Sequence, residues 1–264
     1  MNHEAYKQLL DDLGHESDQL VQRLHPLTFE QWGLSTPAAG WAIQDQVTHL
    51  AFFDDATTMA LKRPTEFRSF ADKLTAGGMD FPDRIAQNHR ILAPSDMLPW
   101  LIGARAELLD VLESLDPKDR MPWFGPDMSA ASAATARLME TWAHGQDIYD
   151  ALAAGHPQSP GLRSIAHLGV ATFEFSHRLH GVEIPSDAVH VVLESPDGGQ
   201  WTWGPIDSTN TVAGPAEDFV LVVTQRRHWT ETDLVAHGSV ARGWLELAQA
   251  FAGAPSRCQP KVTP

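Results

Sequence analysis

Patterning along the chain predicts a mainly α protein: an N-terminal four-helix bundle followed by a smaller C-terminal α+β domain. Up to about residue 155, apolar side chains recur at helical spacing in long runs, separated by breaks rich in proline and glycine. From Ile184 onward the period shortens, and Pro196-Asp197-Gly198-Gly199 separates two strand-like runs. The expected organisation is a bundle over 1–160, a connecting helix over 161–182 and an α+β domain over 183–264.

The first helix is expected over residues 2–24, where Leu9, Leu13, Leu20 and Leu24 form one stripe and polar residues fill the other face. His25-Pro26 ends it. A turn-rich approach, Thr36 to Trp41, leads to a second helix from Ile43 to about Leu61, with Asp45 in its first turn facing the positive end of the helix dipole. Residues 62–94 read as connecting chain with a helix near Asp83 to Leu92. Ser95-Asp96 is expected to cap a third long helix carrying Leu101, Leu108 and Leu112, with Pro99 in its first turn. The fourth helix should run from Ala130 to Ala154 and stop at Gly155. A fifth is expected from Leu162 to His180. Beyond it come a hairpin from Ala188–Glu194 and Gln200–Trp203, a helix opened by Gly214-Pro215, a short strand at Asp233–Ala236 and a last helix from Val240 to Phe251.

Composition excludes several classes of function. The net charge of −15 repels phosphate backbones, and no block of Lys and Arg overcomes it locally, so no nucleic-acid partner is expected. No run approaches the roughly 20 apolar residues of a membrane span, and the first residues lack a secretion signal, so no membrane partner and a cytoplasmic location are expected. The single cysteine, Cys258, can form no intrachain disulfide, which suits a reducing compartment. Phosphate-loop, dinucleotide and nucleophile-elbow patterns are absent from the sequence. Oligomeric state stays open, a homo-oligomer included.

The chemistry concentrates on the fourth helix. Glu140 and His144 are four residues apart, so a carboxylate and an imidazole share one face. Such a pair supplies two of the three protein ligands of an open zinc or iron site. His49, on the second helix, is the best third, because facing helices of a bundle can converge on a metal. The same residues also read as a solvated ion pair and a half-buried core histidine. A rival set, His167, Glu174, His177 and His180, includes a Glu-x-x-His spacing but has no matching second motif.

Several stretches together resemble a known family. Thr36-Pro37-x-x-Gly40-Trp41-x-Ile43-x-Asp45-x-Val47-x-His49-Leu50 is similar to the second-helix signature of DinB-like metal-binding bundles. Glu140-x-x-x-His144-Gly-x-Asp147 resembles the fourth helix of the mycothiol-dependent maleylpyruvate isomerase branch, where a glutamate replaces the histidine common elsewhere. The tail, including Val222–Arg227 and Trp244–Gly253, resembles the small C-terminal domain attached to such bundles. One departure is Ala42, where a capping Ser or Thr is common.

The resemblance implies that His49, Glu140 and His144 bind one divalent ion, zinc foremost, leaving a coordination position open. It implies a low-molecular-weight thiol such as mycothiol as cofactor and a small electrophile as substrate. A thiol losing its proton at such a cation stays nucleophilic at neutral pH and can drive transfer or cis–trans isomerisation. The alternatives are a hydrolase or lyase that activates water, with Asp147 orienting the site or acting as base, and a binding protein without turnover. Arg226 and Arg227 are candidates for a carboxylate of cofactor or substrate, and equally a basic end on a surface helix.

Overall fold

The computed structural model describes residues 1–78 and 80–260, so the last four residues of the expected C-terminal domain, 261–264, lie outside the described residues. Two compact units are present, Met1–Ser159 and a second beginning at Pro160.

In the first unit, α1 (His3–Leu24) buries Tyr6, Leu9, Leu13, Leu20 and Leu24, and Asn2 caps it by accepting from the Ala5 amide at 2.8 Å. A short α2 (Phe29–Trp32) follows, closed by a capping box between Thr28 and Gln31. The α3 helix (Ile43–Lys62) starts at Ala42, which offers no side-chain cap. Asp45 compensates in part, since its Oδ2 accepts from the Ala42 amide at 2.8 Å, and Arg90 clamps the same carboxylate at 2.9 and 2.7 Å. Then come α4 (Pro64–Thr75), α5 (Phe81–His89), α6 (Pro94–Glu113), a two-residue ladder of β1 (Arg120–Met121) and β2 (Met128–Ser129), and α7 (Ala130–Ala151). Helices α1, α3, α6 and α7 form the bundle: α3 packs on α6 and α7, and α1 packs on the same two. Leu20, Leu24, Ile43, Val47, Leu50 and Met97 are among the buried residues of its core.

Several expected boundaries move. The 62–94 segment holds two helices, because Pro64 sits in the first turn of α4 and starts it, and Phe67 and Ala71 give α4 a buried face. Helix α6 begins at Pro94 after an Ala93 cap, so Ser95 and Asp96 lie inside it and Pro99 falls beyond its first turn. Helix α7 ends at Ala151, three residues before the expected end, and the reversal is made by Ala153 with φ +50° rather than by Gly155.

The bundle is tied by one buried carboxylate. Asp54 on α3 accepts from Arg105 of α6 at 2.7 and 3.2 Å and from Arg137 of α7 at 3.0 Å. Arg105 also donates to Thr141 Oγ1 of α7 at 3.0 Å and to Ser17 Oγ of α1, so all four helices meet there.

The second unit opens with α8 (Leu162–Ala171) and α9 (Phe173–Leu179), where one helix from 162 to 180 was expected. The break falls at Thr172, whose hydroxyl back-bonds to the carbonyls of Leu168 and Gly169 at 2.9 Å each. A four-stranded sheet in the order β4-β3-β5-β6 is built from β3 (Val189–Glu194), β4 (Gln200–Trp203), β5 (Asn210–Pro215) and β6 (Val235–His237). The expected hairpin is β3–β4, antiparallel, with Gly198 at φ +80° in its turn. Gly214 and Pro215 end a strand parallel to β3 that was not expected, and Pro215 is also the N-cap of α10 (Ala216–Val223), the helix expected to open there. The last helix, α11 (Ser239–Leu245), stops six residues before Phe251. Helices α10 and α11 pack on the sheet, and α8 packs on α10. Among the described residues, no helix is long and apolar enough to cross a membrane.

Removing the shared carboxylate by Asp54→Ala leaves two buried guanidiniums without their counter-ion. The bundle is expected to lose about 3–5 kcal/mol, read as a lower urea midpoint for the first unit by circular dichroism.

Candidate metal centre

Two helices deliver three donors to one point. His49 lies on α3, Glu140 and His144 on α7, and their ligating atoms are all within 4.8 Å of one another. Glu140 Oε2 is 3.0 Å from His144 Nε2 and 3.4 Å from His49 Nε2. The histidines are 9% exposed each, and the Glu140 side chain is 24% exposed, so the group opens toward solvent on its carboxylate side. Among the described residues, this is the group of His, Cys, Asp and Glu side chains arranged to hold a metal. The rival set does not converge: Glu174 pairs with Arg178, His177 Nδ1 bonds the Phe173 carbonyl at 2.8 Å, and His167 receives the Trp203 indole N–H at 3.1 Å.

The environment orients the imidazoles. Gln46 Oε1 accepts a short bond from His144 Nδ1–H, which turns Nε2 toward Glu140 and the shared point. Gln46 is itself held, donating from Nε2 to Thr36 Oγ1 at 2.8 Å, and Thr36 donates to the Trp41 carbonyl at 3.0 Å. The Trp41 ring stacks on His144 at 5.8 Å and 16° and lies 5.3 Å from His49, while its indole N–H donates to Asp83 of α5 at 2.7 Å. Phe53, one turn after His49, closes the other side with ring centroids 4.5 Å apart. An aromatic wall of this kind excludes water and strengthens charge interactions inside it.

Burial tends to push the Glu140 carboxyl up. The hydrogen bonds from His144 and then His49, together with their positive charge, outweigh that effect and hold it well below the usual 4.5. The donor chemistry fits a divalent cation of the zinc type: two imidazole nitrogens, one carboxylate and a tautomer fixed from behind.

Asp147 is buried on α7, three residues beyond His144 and therefore on the same side of the helix. Arg226 and Arg227 belong to the second unit, just past α10, where their Nη1 atoms donate at 2.7 Å to the carbonyls of Thr224 and Arg226 respectively. Gln46 has no place in the sequence reading of the site, and Trp41 enters it only as part of the second-helix signature. The signal available for both was the spacing from Trp41 to Gln46 to His49 across a helix start.

Residues 13–149 match the family described as the mycothiol maleylpyruvate isomerase N-terminal domain. An uncharacterized protein of Mycobacterium tuberculosis, found in two strains, is 42% identical over 249 residues, covering 93% of this chain and 96% of that protein. The crystal structure of mycothiol-dependent maleylpyruvate isomerase matches with a TM-score of 0.59 at 13% identity, over 88% of this chain and 92% of that one. A mutant of that isomerase gives 0.58 at 14%, over 84% and 89%. At such identities the likeness speaks for the fold.

A group whose folded pKa is depressed adds stability that is present above its unfolded value and lost as pH falls through the folded one. Metal-free protein is therefore expected to lose the Glu140 contribution on acidification below about 4.5. Glu140→Gln should flatten that limb in urea unfolding measured across a pH series.

Proposed function

The chain belongs to the mycothiol maleylpyruvate isomerase family, and on that premise we propose a metal-dependent enzyme that activates a low-molecular-weight thiol for cis–trans isomerisation or transfer. The observation that carries this reading is the convergence, within 4.8 Å, of His49 with Glu140 and His144 from a helix some ninety residues further along. These three residues would hold the cation, zinc in the first instance. When bound, it supplies Lewis acidity that lowers the pKa of an arriving thiol and keeps the sulfur nucleophilic at neutral pH.

The chain's own residues do the rest. Gln46 keeps the His144 proton on Nδ1, so the imidazole presents its lone pair and is ready as a ligand. Trp41 and Phe53 form the walls that keep water from competing with the thiol. Asp147, buried one turn past His144, is assigned to orient the site or to hold a proton during addition and elimination. Arg226 and Arg227, adjacent cations in the second unit, are assigned to an anionic group of the thiol cofactor. For a maleyl substrate, addition of sulfur to the double bond gives a rotatable single bond, and elimination then releases the trans isomer and the thiol.

Purified protein is expected to carry stoichiometric metal, and Glu140→Ala and His144→Ala to lose it. Full metal retention by both variants would overturn the ligand assignment. Gln46→Leu keeps all three ligands but frees the His144 ring, and should weaken metal affinity by about 10–100-fold, measured by competition with a chelating dye. Turnover of maleylpyruvate should require both metal and mycothiol; turnover without any thiol would point instead to hydrolase or lyase chemistry, and metal binding with no turnover to a binding protein.

A further inference from the structure

Away from the metal candidates, the first unit holds a cavity of about 280 Å³. Its walls are apolar: Leu20 and Val21 of α1, Leu50 of α3, and Leu101, Ile102 and Leu109 of α6. His49, Glu140 and His144 are not among its lining residues. An apolar cavity of about 150 Å³ already admits benzene, so this one has room for a longer body. The sequence keeps the space open. Gly14 lines it from the interior of α1, where glycine weakens a helix. A Cβ there would meet nothing closer than Leu109 Cδ1 at 3.9 Å, so close packing does not require the glycine. On α6, Ala106 is likewise small and lies exposed at the rim.

Polar groups line the same cavity: Ser17 of α1, Thr141 of α7 and, at 5% exposed, Arg105 of α6. A guanidinium carries five N–H donors. In Arg105, Nε donates to Asp54 Oδ2 at 2.7 Å, and Nη2 to Asp54 Oδ1 at 3.2 Å and Thr141 Oγ1 at 3.0 Å. Nη1 donates to Ser17 Oγ alone, so four of the five are committed and one N–H of Nη1 has no acceptor among the described residues. That N–H stands next to Ser17, itself part of the lining. Charge is out of balance at the same place, because Asp54 brings one negative charge against both Arg105 and Arg137. An unmet donor and a surplus charge are costly to bury unless an anion completes them.

We propose that this cavity is a second ligand site, taking a small carboxylic acid with a saturated apolar body. The carboxylate accepts from the remaining Nη1 N–H of Arg105, and the body lies against Leu20, Leu50 and Leu101, with Ile102 and Leu109 closing over it. Every bond that Asp54 makes stays in place, so the ligand completes the ion cluster without moving it. Asp18, exposed at the rim, repels an acid group there and favours the orientation with the head inward. The acid is bound and not transformed, and the binding uses none of the metal candidates.

The test titrates octanoate, with 1-octanol as the uncharged comparison, into the full chain by calorimetry. Gly14→Leu fills the cavity from α1 and adds helix propensity, and Ala106→Phe closes its rim from α6; circular dichroism checks that each is folded. Wild type should bind octanoate saturably, more tightly than octanol, and its Tm should rise with octanoate concentration. Both variants should bind octanoate at least about tenfold more weakly and show little of that rise. Ala106→Phe carries the test if Gly14→Leu does not fold. A folded variant that binds octanoate as tightly as wild type overturns the site, and an acid held at the metal centre instead would give that result. Wild type that does not bind octanoate saturably, or that binds octanol equally well, overturns it too.

Discussion

A single carboxylate in the bundle interior fixes how the helices face one another. Asp54 accepts from α6 and α7, and Arg105 extends the contact to α1. Buried ion pairs of this sort add little net stability, because desolvation offsets most of the attraction. What they supply is register: rotating or sliding α3 against α7 would strand a charge in the core. His49 lies five residues before Asp54, and Glu140 and His144 lie three and seven residues after Arg137. Locking Asp54 to Arg137 therefore locks the two halves of the candidate metal centre into apposition. The apolar core alone would tolerate a small slip; this pair would not.

Much of the architecture was legible from periodicity. Helices α1, α3 and α7 carry long stripes whose spacing has one reading, and the glycine-bearing turn between β3 and β4 has another. The failures share a cause, which is that local signals were overruled by context. Leu162 to His180 keeps a helical period throughout, yet the Thr172 hydroxyl competes for backbone carbonyls and splits it. Strand β5 was missed because it ends in Gly214-Pro215, whose turn chemistry announced the helix that Pro215 caps and masked the strand before it. The six residues from Glu246 to Phe251 stay helical in composition but not in conformation, since the Ala250 amide bonds the Val223 carbonyl instead.

The site divides along the same line. His49, Glu140 and His144 were legible because ligand chemistry restricts the residue types and the helix restricts the spacing. Asp54, Arg105 and Arg137 were not, because charged residues read as surface by default and their partnerships span 51 and 83 positions. Gln46 belongs to the same class: its importance lies in a bond to a ring 98 positions away. Beyond its spacing from Trp41 and His49, the hint was a polar residue among buried positions of the helix.

The bond from His144 does not stop at Gln46. It continues through Thr36 to the carbonyl of Trp41, and the segment between them is pinned by the Ser35–Ala42 bridge. A surface connection ordinarily accepts added or deleted residues during descent. Here a change of length between Thr36 and Trp41 would displace at once the hydroxyl that steadies the glutamine and the indole that lies on the imidazole. This short turn should accordingly be among the stretches of the chain least free to lengthen or shrink as sequences diverge, although it contributes no ligand of its own.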